Sequence, residues 1–195
     1  MALYKNYYVF PYELKPIYPA TYNLSTNYVL LGRDWQKRRR YLFDRSKQIL
    51  EFEYVFTNLQ DIWGLKQFFY DRKGRYEPFW LRGYKTQTQT TTSATATSTN
   101  ITVVYNYEDY YVDNYVLHIY IPSIDFYAKV ISYTKGVNDI TLGLDTALPV
   151  DLPANSDIEY VYFVRFESDT LELEFRRLWV AEGKLSFKWL VEESP

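Results

Sequence analysis

The chain has 195 residues, a formal net charge of -2 at pH 7 and a hydrophobic fraction of 47%, enough to bury a core in one large or two small domains. The absence of cysteine excludes disulfides, thiolate catalysis and thiolate metal sites. The acidic balance argues against specific nucleic-acid binding, and no apolar run reaches the roughly 18 residues of a membrane span. The N-terminus lacks a secretory signal pattern, so we expect synthesis in the cytoplasm without export by that route.

Aromatic residues make up 20% of the chain and include 22 tyrosines. Tyrosine, phenylalanine and β-branched residues favour strands, so we expect a mainly β protein. Tyrosine also offers an apolar ring with a polar tip, which suits interfaces.

The first 22 residues are predicted to form an extended arm, because Pro11, Pro16 and Pro19 fix their own φ angles and donate no ladder hydrogen bond. The arm carries exposed-looking aromatic residues that either close one end of their own core or pack on a neighbouring subunit. They are Tyr4, Tyr7, Tyr8, Phe10 and Tyr12.

A basic run follows a candidate strand at 27–32 and consists of Lys37, Arg38, Arg39 and Arg40. One interpretation is a contact with an acidic partner surface or a phosphate backbone. The other is a solvated edge strand whose charges prevent aggregation.

The stretch from 49 to 82 is predicted to form a strand, a helix and a second strand. Alternation over 49–56 places Leu50, Phe52, Tyr54 and Phe56 on one face. A helix at about 58–71 is expected to begin with a capping box of Thr57 and Gln60. Its core stripe is predicted to be Leu59, Ile62, Leu65 and Phe69, with Trp63 as a further candidate. Gly74 is expected to end the helix in a left-handed conformation, before the strand Phe79–Arg82.

A threonine-rich tract over 86–100 has no aromatic or charged side chain and is predicted to be a linker or a polar β-arm containing a domain boundary. Short strands follow at 101–105 and 115–121, the second with alternating faces. A hairpin is predicted from 125–133 and 139–144. This spacing indicates a small barrel or sandwich.

Long alternating strands return in the last third of the chain. One is predicted at 158–167, and the next places Leu171, Leu173 and Phe175 on one face. A turn at Glu182 and Gly183 is expected to precede a final strand with Leu185, Phe187, Trp189 and Val191 on one face. We therefore predict a first β domain of residues 1–86 plus 159–195, and an inserted small β domain of residues 87–158.

The sequence offers no recognisable catalytic, cofactor-binding or metal site, so we do not expect an enzyme. His118, the single histidine, lies in a predicted strand and would bind metal only with carboxylates from elsewhere. The carboxylate pairs Glu108/Asp109 and Glu172/Glu174 lie where outward polar faces are expected, which disfavours a glycosidase.

One stretch resembles the distal tail and minor tail proteins of long-tailed bacteriophages. The resemblance is carried by Leu65, Phe68, Phe69, Arg72 and Gly74, followed by Phe79 and Trp80, and by the later segment 164–172. It implies a tail-tube-like β-sandwich flanked by a helix, with an added small β-barrel or sandwich domain. It also implies a structural virion protein that forms a ring, commonly of six copies, joining the tail tube to the tail tip or baseplate.

The implied partners are further copies of the chain, the tail tube protein, a tail tip or hub protein and the tape measure protein. The helix and the sheet edges are the expected contact elements. Candidate contact residues are Lys37, Arg38, Arg39, Arg40, Arg72, Lys73 and Arg75, together with Tyr7, Tyr8 and Phe10 of the arm.

A second functional class stays open, namely a carbohydrate-binding β module for a host surface. Its candidate sugar-stacking residues are Tyr107, Tyr110 and Tyr111, close to Tyr105 in the predicted inserted domain. A loop packed on its own barrel is the alternative explanation of this cluster.

Overall fold

The computed structural model describes residues 3–11, 17–25, 28–31, 38–41, 47–83, 88–104 and 117–190, and between 17 and 48 it describes the backbone alone. The strands are β1 (Leu3–Tyr4), β2 (Tyr7–Tyr8), β3 (Ile17–Ser25), β4 (Tyr28–Leu31), β5 (Arg38–Tyr41), β6 (Lys47–Phe56), β7 (Phe79–Arg82), β8 (Thr88–Gln89), β9 (Asn100–Val104), β10 (His118–Ile121), β11 (Phe126–Lys135), β12 (Asp139–Leu144), β13 (Asp157–Phe166), β14 (Glu174–Arg177) and β15 (Val180–Trp189). The helix α1 spans Leu59–Asp71 and is the only α-helix in these ranges, where a 3-10 turn also spans Pro122–Ile124. The predicted class, mainly β with one main helix, is confirmed, and the strands are consistent with a β-sandwich flanked by a helix.

Contacts divide the chain into two units. The middle unit comprises Met1–Tyr12, Phe79–Phe163 and Leu190–Pro195, and the helix unit comprises Glu13–Pro78 and Val164–Trp189. These boundaries differ from the predicted 86/87 and 158/159, and the middle unit includes β7, which pairs with β13. The prediction that residues 87–158 form an independent insertion stays a prediction.

The helix unit is built on antiparallel pairing of β3 with β6 and of β6 with β15. The predicted faces of β6 and β15 are confirmed, since Leu50 and Phe52 of one strand and Phe187 of the other are buried. The rings of Phe52 and Phe187 lie 6.0 Å apart, and those of Phe166 and Phe187 lie 5.4 Å apart. Burial of alternate apolar residues is what fixes this register.

The N-cap of the helix lies one residue later than predicted. Asn58 is the N-cap, with its Oδ1 accepting a hydrogen bond from the backbone N–H of Asp61 at 2.8 Å, so the capping box of Thr57 and Gln60 is wrong. Asn58 has the extended backbone a cap requires, and Asp61 places a negative charge in the first turn. Gly74 follows the helix with a φ of +59°, as predicted.

The buried face of α1 consists of Ile62, Leu65, Phe68 and Phe69. Leu59, which the sequence assigned to the core stripe, is 42% exposed, and Phe68 takes its place as a core residue. Helical side chains lean toward the helix N-terminus. Leu59 therefore leans over the exposed N-terminal turn and not over the core.

The C-terminal hairpin turns earlier than predicted. β14 begins only at Glu174, and the turn falls at Leu178 and Trp179, because Arg177 pairs with Val180. Gly183, predicted to be in a turn, lies inside β15 opposite Tyr54. A Cβ at this glycine would lie 2.6 Å from the Leu173 side chain, so Gly183 allows the 171–173 segment to approach the strand closely.

The middle unit is an antiparallel sheet in the order β13-β10-β11-β12-β9. The predicted hairpin is confirmed as β11 and β12. β10 does not show the predicted alternation, because all four of its residues are buried. A strand covered on both faces has no polar side to reveal its period.

The threonine-rich tract is docked against the rest of the middle unit. The Thr90 side chain is fully buried, and its Oγ1 donates to the Pro153 carbonyl at 3.0 Å while accepting from the Ser156 N–H at 2.9 Å. The backbone of Ala94 donates to the carbonyl of Leu152 at 2.9 Å. Hydrogen bonds from hydroxyl and main-chain groups thus hold this segment against the rest of the middle unit. Of the two forms predicted for the threonine-rich tract, a linker and a polar β-arm, the structure shows the second.

A buried ion pair also lies in the middle unit. Nε and Nη2 of Arg82 both donate to Oε2 of Glu159, each at 2.9 Å. The guanidinium carbon lies 3.9 Å from the centroid of the Tyr120 ring, which adds a cation–π contact. Arg82 is 4% exposed and Glu159 is 8% exposed, so water screens the pair weakly.

Candidate functional site

The helix unit exposes a group of large apolar side chains that we call the aromatic patch. It consists of Trp63, Phe175, Leu178 and Trp179, which are 66%, 50%, 70% and 53% exposed. The outward face of α1 supplies Trp63, β14 supplies Phe175, and the turn after β14 supplies the other two. The four side chains therefore come from α1, from β14 and from the turn that follows it.

Lys66 connects the helix and hairpin parts of the aromatic patch. Its Nζ lies 5.5 Å from the centroid of the Trp63 ring and 5.6 Å from that of Phe175. An ammonium over the faces of two aromatic rings is attracted by both. This bridging position shows that the two rings belong to one continuous surface.

The aromatic patch is large for a free subunit. Aromatic side chains bury about 150–250 Å² each when fully covered, so the exposed fractions of these four side chains leave on the order of 500 Å² of apolar surface in contact with water. The largest patch on a typical monomer is about 300–600 Å² and is often functional, and a standard interface buries about 800 Å² per partner. The aromatic patch is thus sized to be the apolar centre of one standard interface.

Charged side chains that are already paired lie beside the aromatic patch. Arg176 binds Glu182 at 3.1 Å and Glu174 at 3.1 Å. An apolar centre beside a polar, hydrogen-bonded rim is the usual anatomy of a protein interface.

The same hairpin borders an open groove of about 890 Å³. Its lining includes Leu171 and Leu173 and the carboxylates of Glu53, Glu172 and Glu182. The predicted pair Glu172/Glu174 thus lies at this groove, on an exposed polar face as expected from the sequence.

The predicted basic contacts after α1 are engaged within the subunit. Arg72 and Lys73 bind Glu77 at 3.1 Å and 2.6 Å, and Arg75 binds Asp169 at 2.8 Å. The hydrogen bond from Lys73 lowers the pKa of Glu77, and the same bond raises the pKa of Lys73. A neighbouring molecule would have to share these cations with their present carboxylates.

The arm residues predicted as interface candidates lie against the middle unit of their own chain. Phe10 is 1% exposed and its ring stacks on Phe79 at 5.9 Å, so here it is a core residue. Tyr7 and Tyr8 are half-buried, and the Tyr7 ring meets Phe163 edge-on at 4.8 Å. Of the two roles left open for this arm, closing its own core is the one seen in the structure.

His118 is buried at the start of β10, and its Nδ1 shares a hydrogen bond of 3.0 Å with the hydroxyl of Tyr4. Burial lowers the pKa of His118 to about 3, helped by the charges of Lys5 and Lys129. Burial likewise raises the pKa of Tyr4, so both groups are neutral at pH 7. In the described part of the chain, no three His, Asp or Glu residues are grouped to hold a metal ion.

The structure does not describe the side chains of the remaining candidates. Arg38, Arg39 and Arg40 lie in β5, which pairs with β4, and only their backbone is described. Lys37, the sugar-stacking candidates Tyr107, Tyr110 and Tyr111, and the pair Glu108/Asp109 lie outside the described residues.

Sequence reasoning missed most of the aromatic patch. The sequence makes Trp63 a candidate for the buried stripe, places Phe175 on one strand face with Leu171 and Leu173, and does not single out Leu178 or Trp179. One sequence signal indicates the patch: the large apolar residues Leu178 and Trp179 stand directly after charged residues at a hairpin turn.

Comparison with protein-family models gave no match, and comparison with curated proteins gave none either. Among the described residues, no helix is both long and apolar enough to cross a membrane.

Proposed function

We propose that the chain is a structural subunit of a bacteriophage tail. In this proposal it assembles with copies of itself into a ring that joins the tail tube to the tail tip or baseplate. The observation that carries the proposal is the aromatic patch, an exposed apolar surface continuous from α1 to the β14–β15 hairpin. The proposed ring gives this surface a cover, since each subunit in a closed ring meets two neighbours through heterologous contacts.

The location of the aromatic patch agrees with the contact elements expected from the resemblance. The helix and a sheet edge were the expected elements, and the patch lies on α1 and on β14, whose hydrogen-bonded neighbour is β15. Aromatic side chains are enriched at the centres of interfaces, where they contribute most of the binding energy. Trp63 and Trp179 are therefore the residues we expect to dominate the contact.

The experiment is a comparison of oligomeric state by analytical ultracentrifugation and electron microscopy. Wild-type chain is expected to form closed rings, of about 140 kDa if six copies of the 23.4 kDa chain assemble. Trp179→Ser combined with Phe175→Ser is expected to shift the protein to monomers. The matched control is Val137→Ser, because Val137 is 92% exposed and belongs to the middle unit, so it is not one of the residues of the patch.

A wild-type chain that stays monomeric at high concentration would refute the ring proposal. A stable monomer that binds glycans on an array would favour the carbohydrate-binding alternative. Rings that survive the double substitution as well as they survive Val137→Ser would show that the aromatic patch is not the contact.

A further inference from the structure

The strand ladder along β15 is interrupted beside the open groove of the helix unit. The pairing of β13 with β15 ends at Phe166, and the pairing of β14 with β15 begins at Glu174. The residues between these two points, 167–173, lie alongside only residues 183–186 of β15. The chain therefore bulges out of the sheet here, and such bulges are common at sheet edges and next to functional sites.

The bulge forms one wall of the groove. A Cβ at Gly183 would lie 2.6 Å from the Leu173 side chain, so the bulged segment touches β15 at this glycine. The groove of about 890 Å³ is bounded by that segment, by the first half of β15 and by β6, and all of its lining residues belong to the helix unit. Ligand pockets typically measure about 300–1,000 Å³, so the groove has room for a short stretch of peptide.

The lining of the groove is apolar at depth and acidic at the surface. Tyr54 is buried, and Leu171 and Leu173 are half-buried. The side chains of Glu53 and Glu172 are exposed. A ligand in the groove would thus meet apolar side chains beneath a rim of carboxylates.

The lining carries more negative than positive charge. Its one cation, Lys184, is bound at 2.9 Å to Glu51, which does not line the groove. Arg176 binds the carboxylates of Glu174 and Glu182, each at 3.1 Å. The charged lining residues are Glu53, Glu172, Glu174, Glu182 and Lys184.

Two carboxylates of the rim have no cation beside them. Glu53 and Glu172 make no ion pair with any residue that the structure describes. Within the described ranges, no three acidic or histidine side chains are grouped to hold a metal ion, so the negative charge is spread along the groove. Carboxylates spread in this way are complementary to several cations carried on one extended chain.

We propose that the groove binds an extended, basic segment of another protein. Successive side chains of an extended chain point to opposite sides. A segment that alternates apolar and basic residues therefore places its apolar side chains on Leu171 and Leu173, and its lysines or arginines beside Glu53 and Glu172. The proposal concerns the single subunit and does not depend on formation of the ring.

Peptide binding to the full-length chain tests the proposal. The probe is a short fluorescein-labelled peptide in which lysine and leucine alternate, and its anisotropy is measured as wild-type protein is added. Two control peptides replace lysine with glutamate or leucine with serine. We expect the lysine–leucine peptide to bind about tenfold more tightly than the lysine–serine peptide, because leucine is buried in the groove. The glutamate–leucine peptide is expected not to bind, and high salt is expected to weaken the lysine–leucine complex.

A pair of double variants locates the binding site. Glu53→Gln combined with Glu172→Gln is expected to weaken binding about three- to tenfold, since two exposed ion pairs are lost. The matched control is Asp71→Asn combined with Glu167→Gln. It removes the same charge from exposed positions of the helix unit that do not line the groove.

Equal weakening in the two double variants would show attraction to the overall charge of the protein and would overturn the groove as the site. Equal affinity for the lysine–serine peptide would overturn the role of the apolar floor. A peptide that copies residues 36–41 of this chain tests a second copy as the occupant, and tighter binding of that peptide would overturn a foreign partner. These results leave the ring proposal untouched, because that proposal is tested by oligomeric state.

Discussion

The buried pair of Arg82 and Glu159 leads to a sharp prediction about stability. Glu159→Ala removes the carboxylate that accepts two hydrogen bonds from Arg82 and leaves a guanidinium at 4% exposure. Removing one partner of a buried ion pair costs about 3–5 kcal/mol, because the remaining charge stays desolvated. The contact of Arg82 with the Tyr120 ring at 3.9 Å is present in both proteins, so it does not change the difference, and we expect a loss of about 3–5 kcal/mol in the free energy of unfolding.

Replacing both partners is expected to cost much less than the sum of the single changes. In the double variant Arg82→Met, Glu159→Leu no charge is buried, and apolar side chains of similar size fill the space. Urea unfolding of the wild type, Arg82→Met, Glu159→Leu and the double variant, followed by circular dichroism at pH 7, gives the coupling energy. A loss under about 1 kcal/mol for Glu159→Ala, or additive losses in the double variant, would refute the reasoning.

Three further predictions concern the helix, the glycine that follows it and the buried histidine. Phe69→Ala is expected to lower the free energy of unfolding by about 3–5 kcal/mol, and Leu59→Ala by under about 1 kcal/mol. Equal losses for the two variants in urea titrations would contradict the assigned helix face. Gly74→Ala is expected to lower the free energy of unfolding by about 1–2 kcal/mol, because φ is +59° and a Cβ would lie 2.9 Å from the Asp169 carboxylate. A thermal melt measures this, and an unchanged melting temperature would disprove it. Burial lowers the pKa of His118 to about 3, so as pH falls the imidazole is protonated in the unfolded chain before it is protonated in the folded one. The free energy of unfolding is therefore expected to fall by up to about 1.4 kcal/mol per pH unit between about pH 6.5 and pH 3. His118→Gln is expected to flatten that slope, and parallel curves for the two proteins would contradict it.

The sequence predicted those strands in which one face is buried and the other meets water. The alternation of Leu50, Phe52 and Tyr54 in β6 is a direct consequence of that asymmetry. β10 lacks that asymmetry, because both of its faces are covered. The start of α1 was misplaced because Thr57 and Asn58 are adjacent and both can cap, and the choice depends on backbone geometry.

Features that depend on distant partners were the least predictable. Gly183 resembles a turn residue until Leu173 is known to lie against it. The threonine tract lacks an apolar pattern, yet Thr90 finds hydrogen-bond partners beyond residue 150. The aromatic patch was missed for the same reason, since whether Trp63 or Trp179 is covered depends on tertiary packing and not on local spacing.

The unequal surroundings of the tryptophans give the protein an intrinsic optical reporter. Among the tryptophans that the structure describes, Trp80 and Trp189 are buried, whereas Trp63 and Trp179 are more than half exposed to solvent. Contact with another molecule at their surface would shift the emission of these two indoles to shorter wavelength and protect them from acrylamide quenching. Ring closure could then be followed in real time, without attaching a dye to a chain that lacks cysteine.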